Sequence, residues 1–147
     1  MHKIEIFPNK CSFISGSHDK NIRIWNLNDL GGECVETLLD DDGNGIRCLK
    51  LVNEGQYLIS SSFTNLTVWD VGKGERLNVL RSHWCEILCL ELFSVDDEHL
   101  LASADQGGNI LLWNLKTMTM KTTMHAHKGD ILCLKVIEIK IYIENKK

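Results

Sequence analysis

Short bursts of alternating apolar and polar residues fill this chain. Between residues 46 and 80 they run "IRCLKL", "YLISSS", "NLTVWD" and "ERLNVL", separated by the short connections "VNEGQ", "FT" and "VGKG". Alternation over so few residues places one set of side chains on each face of an extended strand, whereas a helix needs an apolar stripe at every third or fourth position. No such stripe is sustained anywhere, and Pro occurs once, at Pro8. The pattern predicts four strands in succession, at 46–52, 57–62, 65–70 and 75–80, joined by polar turns.

The same four-strand pattern recurs. Trp25, Trp69 and Trp113 stand at equal intervals of 44 residues, each ending an apolar stretch and followed by Asn or Asp: "IRIWN", "LTVWD", "ILLWN". A second marker lies between them, "IRCLKL" (46–51), "ILCLEL" (87–92) and "ILCLKV" (131–136). A third precedes each tryptophan, "FISGSHDKN", "LISSSFTN" and "LLASADQGGN", where small residues end one strand and a polar turn leads to the next. Cys48, Cys89 and Cys133 fill one slot of the second marker. A position repeated in successive strands is a packing position, so the six cysteines read as buried free thiols and not as a disulfide framework. A period of about 40–45 residues with four strands is that of a propeller blade.

On these residues the chain resembles the WD-repeat β-propellers, over residues 4–136 or so. The resemblance implies an all-β propeller fragment of about three four-stranded antiparallel blades, not closed on its own, since closed propellers take about four to eight. Repeats fall at 1–39, 40–80 and 81–124, with a partial fourth at 125–137 and a non-repeat tail at 138–147. From Ile137 onward "IEIKIYIENKK" alternates with a period of two and matches no earlier repeat. The resemblance also implies a hydrogen-bonded network: a His before each first strand, a Ser or Thr in the second, an Asp in the next turn, and the Trp. Buried indole N–H groups and turn backbone need such partners. Ser15, Asp19 and Trp25 match it in the first repeat, and Ser60 and Trp69 in the second. In the third, His83, Ser103 and Trp113 match, while Gly107 takes the Asp place and Asp105 is the candidate substitute. His127 opens the fourth.

The stretch "DDDGNG" (40–45) fits the opening of an EF-hand loop, but the closing position holds Leu51, which offers no oxygen, and the flanks read as strands. Aligning Ile46 with Ile87 makes it the turn between two blades, with Asp42 in the His place. An ionised carboxylate accepts hydrogen bonds but has none to donate, so the middle blade is expected to be the loosest.

Composition narrows the function. The chain is 147 residues, 44% hydrophobic and 24% charged, with a formal net charge of −4. That is a globular composition with no general pull toward nucleic acid or anionic membrane. No apolar leader begins it and no run approaches membrane-spanning length, so a cytoplasmic or nuclear protein without a membrane partner is expected. No nucleophile elbow, phosphate loop or metal-ligand spacing is present, and His83 and His127 read as structural through their repeat positions. The expectation is no catalytic residue, no metal and no cofactor.

What remains is a non-catalytic scaffold for protein–protein interaction. In the family, partners often contact the end formed by the turns before the first strand and between the second and third. Arg47, Glu86, Leu88, Asp130, Leu132 and His18 are the residues that this places there, for binding other proteins or peptides. Further blades or a second copy would cover the open ends of the array. An RNA-associated propeller is the alternative, but Arg47 and Lys128 stand on that end beside Asp40, Asp41, Asp42, Glu86 and Asp130, which argues against nucleic acid. "WNLK" (113–116) faintly resembles the W-D-x-[RK] ending of WD-repeat substrate receptors of cullin–RING ubiquitin ligases. Asn114 replaces the acidic residue, and "WNLN" and "WDVG" lack the basic one, so an ordinary blade end is the better reading.

Overall fold

A computed structural model describes residues 3–8, 11–29, 31–41 and 44–136. Asp42 and the tail at 138–147 lie outside them. The described residues form three four-stranded sheets, each paired antiparallel in chain order. The first holds β1 (Lys3–Ile6), β2 (Ser12–Gly16), β3 (Asn21–Asn28) and β4 (Gly31–Leu39). The second holds β5 (Cys48–Val52), β6 (Tyr57–Ser62), β7 (Asn65–Asp70) and β8 (Glu75–Arg81). The third holds β9 (Ile87–Val95), β10 (Glu98–Asp105), β11 (Asn109–Asn114) and β12 (Thr119–His125). The predicted strands of the middle repeat therefore stand, with β5 starting two residues later because Ile46 and Arg47 belong to the approach.

The register repeats as closely as the sequence does. Trp25 lies opposite Phe13, Trp69 opposite Leu58 and Trp113 opposite Leu101. Each third strand slips register immediately before its tryptophan, between Ile24 and Trp25, Val68 and Trp69, and Leu112 and Trp113. Such a bulge bends the strand and re-aims the side chain beside it.

Two cores hold the sheets together. Ile14, Ile22, Ile24 and Leu38 of the first sheet meet Leu49, Leu58 and Trp69 of the second. Ile59, Leu66, Val68 and Leu80 of the second sheet meet Leu90, Leu101, Leu111 and Trp113 of the third. Neighbouring residues such as Leu58 and Ile59 thus point into different cores, which is why β6 and β7 are buried almost throughout. Each fully buried aliphatic side chain contributes about 1.5–3 kcal/mol. The fourth strands β4, β8 and β12 are mostly exposed. Across the first strands Lys50 bonds Glu5 at 3.7 Å and Glu91 at 3.3 Å, so carboxylate, ammonium and carboxylate follow one another from sheet to sheet. The three sheets do not close into a ring.

Two expectations change. "ILCLKV" (131–136), expected to open a fourth repeat as a strand, forms none, because no second strand lies beside it among the described residues. Nor are the thiols uniformly buried. Cys48 is buried and Cys89 half-buried, but Cys11, Cys34 and Cys133 are exposed.

Candidate interaction face and the network beneath it

Every connection from β2 to β3, β4 to β5, β6 to β7, β8 to β9 and β10 to β11 falls at one end of the array. Backbone hydrogen bonds tie these turns together in pairs. Ile46 N–H donates to the Ser17 carbonyl, Ile87 to Phe63 and Ile131 to Asp105, each within 3.3 Å. Asp40 N–H donates to Lys20 and Gln106 N–H to Glu86. Gly45, at φ 61°, lies close against His18, where any Cβ would collide with its backbone. The end is a sheet of interlocked turns.

Beneath it the third sheet carries a four-residue chain. Trp113 Nε1–H donates to Ser103 Oγ at 2.8 Å. Ser103 Oγ and His83 Nε2 are 2.6 Å apart, and His83 Nδ1 and Asp105 Oδ2 2.8 Å. One arrangement satisfies every atom: a neutral imidazole donates from Nδ1 to the carboxylate and accepts the Ser103 hydroxyl at Nε2. Burial favours that neutral form and lowers the His83 pKa from 6.5, against the pull of Asp105. Burial pushes the Asp105 carboxyl up, but hydrogen bonds from His83 and from the backbone and side chain of Asn109 outweigh it and leave it below 3.8. Asp105 is therefore the acid of this network, although the sequence points first to Gly107.

The other two sheets keep less. Trp25 Nε1–H donates to Ser15 and Trp69 Nε1–H to Ser60, both at 2.9 Å. Asp19, expected in the first network, instead accepts from Asn21 N–H at 3.0 Å and pairs with Arg23 at 3.1 Å. An Asp at this point of a turn satisfies the chain two residues on, and its side chain stays outside. In the middle sheet the residue seen to enter the interior is Asp40. It is fully buried and accepts a hydrogen bond from Thr67 Oγ1 at 3.3 Å. The alignment on Ile46 missed this because Asp40 directly follows β4, where its N–H is held by the Lys20 carbonyl. Asp40 accordingly leaves the surface to which the sequence assigned it. His127 is exposed and joins no such chain among the described residues, since no second strand stands beside it to supply the Ser and Asp.

Of the residues expected on the interaction face, His18 and Asp130 are exposed, Arg47 and Glu86 half-buried, and Leu132 73% exposed. Leu88 is 9% exposed and is withdrawn from the face, because the start of β9 is buried on both sides. Sequence reasoning missed Trp84. It is 93% exposed, next to the buried His83, so adjacent residues of one loop point in opposite directions. The signal was available: Trp84 is the one tryptophan outside the 44-residue interval. Phe63, in the β6–β7 turn with φ 53°, is the other exposed aromatic of this end.

The family model described as "WD domain, G-beta repeat" matches residues 3–26 and 74–114. Autophagy-related protein 16 of Arabidopsis thaliana is 22% identical over 135 residues, covering 91% of this chain and 26% of the relative. The ribosome biogenesis protein WDR12 homolog of Oryza sativa subsp. japonica is 27% identical over 132 residues, covering 86% of this chain and 29% of the relative. The solved structure of U3-55K superposes with a TM-score of 0.75 at 16% identity, over 86% of this chain and 39% of that one. The chain thus spans less than a third of the length of these two curated relatives.

Proposed function

Because the chain belongs to the WD-repeat family, we propose that it is a non-catalytic scaffold binding other proteins or peptides through the end formed by its interlocked turns. The observation that carries this reading is Trp84, almost wholly exposed on a loop whose neighbouring residue is locked into the Trp113–Ser103–His83–Asp105 chain. An aromatic side chain with two rotatable bonds, held out by a rigid base, loses little freedom on binding, and tryptophan is enriched among residues that dominate interfaces. Arg47, Glu86, Asp130 and His18 surround the loops with mixed charge, which suits a protein partner steered by complementary charges. The two curated relatives are named for autophagy and for ribosome biogenesis. One repeat architecture serving such different processes supports a binding role more than any particular chemistry.

Affinity capture with four chains tests the face. Wild type and Glu54→Lys, whose site lies in the β5–β6 connection at the opposite end, should retain the same partners. Trp84→Ala and Arg47→Glu should lose them without a change in thermal stability. Equal capture by all four would sink the assignment.

A further inference from the structure

At the end of the array opposite the turn face, the second and third sheets leave a cleft of about 670 Å³ between them. Both of its walls are described strands and the connections that leave them. Its floor is one end of the core that these two sheets share. Ile59, Val68 and Leu115 are buried there, and Val52, Leu92 and Met118 are half-buried against them. Small-molecule sites take roughly 300–1,000 Å³ and are mostly apolar, with a few polar groups at fixed places. The cleft has this make-up, and the apolar surface open in it is what the apolar body of a ligand would cover.

The rim is unequal. On the third sheet Ser94 lies opposite His99 in register, and Leu115 N–H donates to the His99 carbonyl, which sets Lys116 beside them. Ser94 Oγ and His99 Nδ1 are 2.8 Å apart. When that hydroxyl donates, the ring proton sits on Nε2, a donor that no protein acceptor engages among the described residues. Lys116 Nζ has no ion pair among them either. The second sheet contributes Asn53, Glu54 and Tyr57, and Glu54 is the one carboxylate among the described lining residues. Donors therefore gather on the third-sheet wall above an apolar floor.

We propose that this cleft binds a small amphipathic carboxylate, its apolar body on the floor and its carboxylate against the His99 ring N–H and the Lys116 ammonium. Charge-assisted hydrogen bonds of this kind are about twice as strong as neutral ones. A cationic head on the same apolar body would instead meet Lys116 as a like charge. The site is separate from the turn face, and its test does not depend on that reading.

The probes are decanoate and decyltrimethylammonium, which have similar tails and opposite charges. Each is titrated calorimetrically into the 147-residue chain below its micellar concentration. Decanoate should bind at a single saturable site. Lys116→Glu, at an exposed position, should weaken it about tenfold, the size of one lost charge-assisted bond. Lys116→Arg should restore the affinity, and Glu54→Lys should not reduce it. Oxidation of the methionines by hydrogen peroxide, followed by peptide mass spectrometry, locates the site. Saturating decanoate should slow Met118, which lines the cleft, and leave Met120 and Met124, exposed on β12, unchanged. No saturable binding, equal affinity for the two probes, full affinity in Lys116→Glu, or an unprotected Met118 would each overturn the proposal.

Discussion

The second and third sheets bury their tryptophans alike and support them differently. Trp69 is 3% exposed and Trp113 2%, and each donates to a serine at the same register. In the third sheet that serine leads on to His83 and Asp105. In the middle sheet the equivalent interior holds Asp40, bonded to Thr67, while Ser62, two residues after Ser60, has an Oγ with no hydrogen-bond partner among the described residues. The family model skips residues 27–73, the stretch that contains most of this sheet. The middle repeat has kept the apolar half of the pattern and lost much of the polar half. Covered on both faces by other sheets, it keeps its shape through packing, whereas the third sheet has one packed neighbour and a continuous hydrogen-bonded chain.

The largest effects should come from the tryptophans. Trp69→Ala and Trp113→Ala should each cost about 3–5 kcal/mol, and Trp113→Ala should cost about 1 kcal/mol more because its partner serine also orients the His83 chain. Equal losses in chemical denaturation would mean that the network adds nothing to packing. Next, His83→Ala leaves Asp105 buried without its charge-assisted partner, for a loss of about 2–3 kcal/mol. Thr67→Val, which removes one hydroxyl from the middle sheet's Asp40, should cost about 1–2 kcal/mol. Leu111 occupies the Thr67 register in the third sheet, so an apolar residue fits there when the neighbour is His. A Thr67 variant worse than the His83 variant would reverse the comparison.

Acid should weaken the third sheet selectively. His83 titrates below its ordinary 6.5, so its contribution is whole above that pH and is lost as pH falls through the lower folded value. Asp105 adds a further loss below 3.8, because its folded pKa is also depressed. The urea midpoint of the wild type should fall on going from pH 7 to pH 4, and His83→Gln should flatten the upper part of that fall. A parallel slope in the variant would show that His83 is not the titrating group. The smallest effect is expected at Trp84. Its replacement by Ala should move stability by no more than about 0.5 kcal/mol, although the same change is expected to abolish partner capture.

The repeat was legible from sequence because the physics behind it is local. Alternation decides which residues can form strands, small polar residues decide where the chain turns, and a tryptophan at a fixed interval marks the same register three times over. Tertiary structure alone decided what depends on loop length and on neighbours. It turned Asp40 inward, since the hydrogen bond from its N–H to the Lys20 carbonyl fixes the start of the turn. It made Asp105 the acid of the third network, because reach to His83 is set by the strand end and not by distance from the Trp. It withdrew Leu88 and displayed Trp84, because burial and loop direction are settled only once the sheets are stacked. It also left "ILCLKV" without a strand, although its sequence nearly copies two segments that form one. A strand exists only where another backbone completes its hydrogen bonds, and no property of the segment itself can supply that.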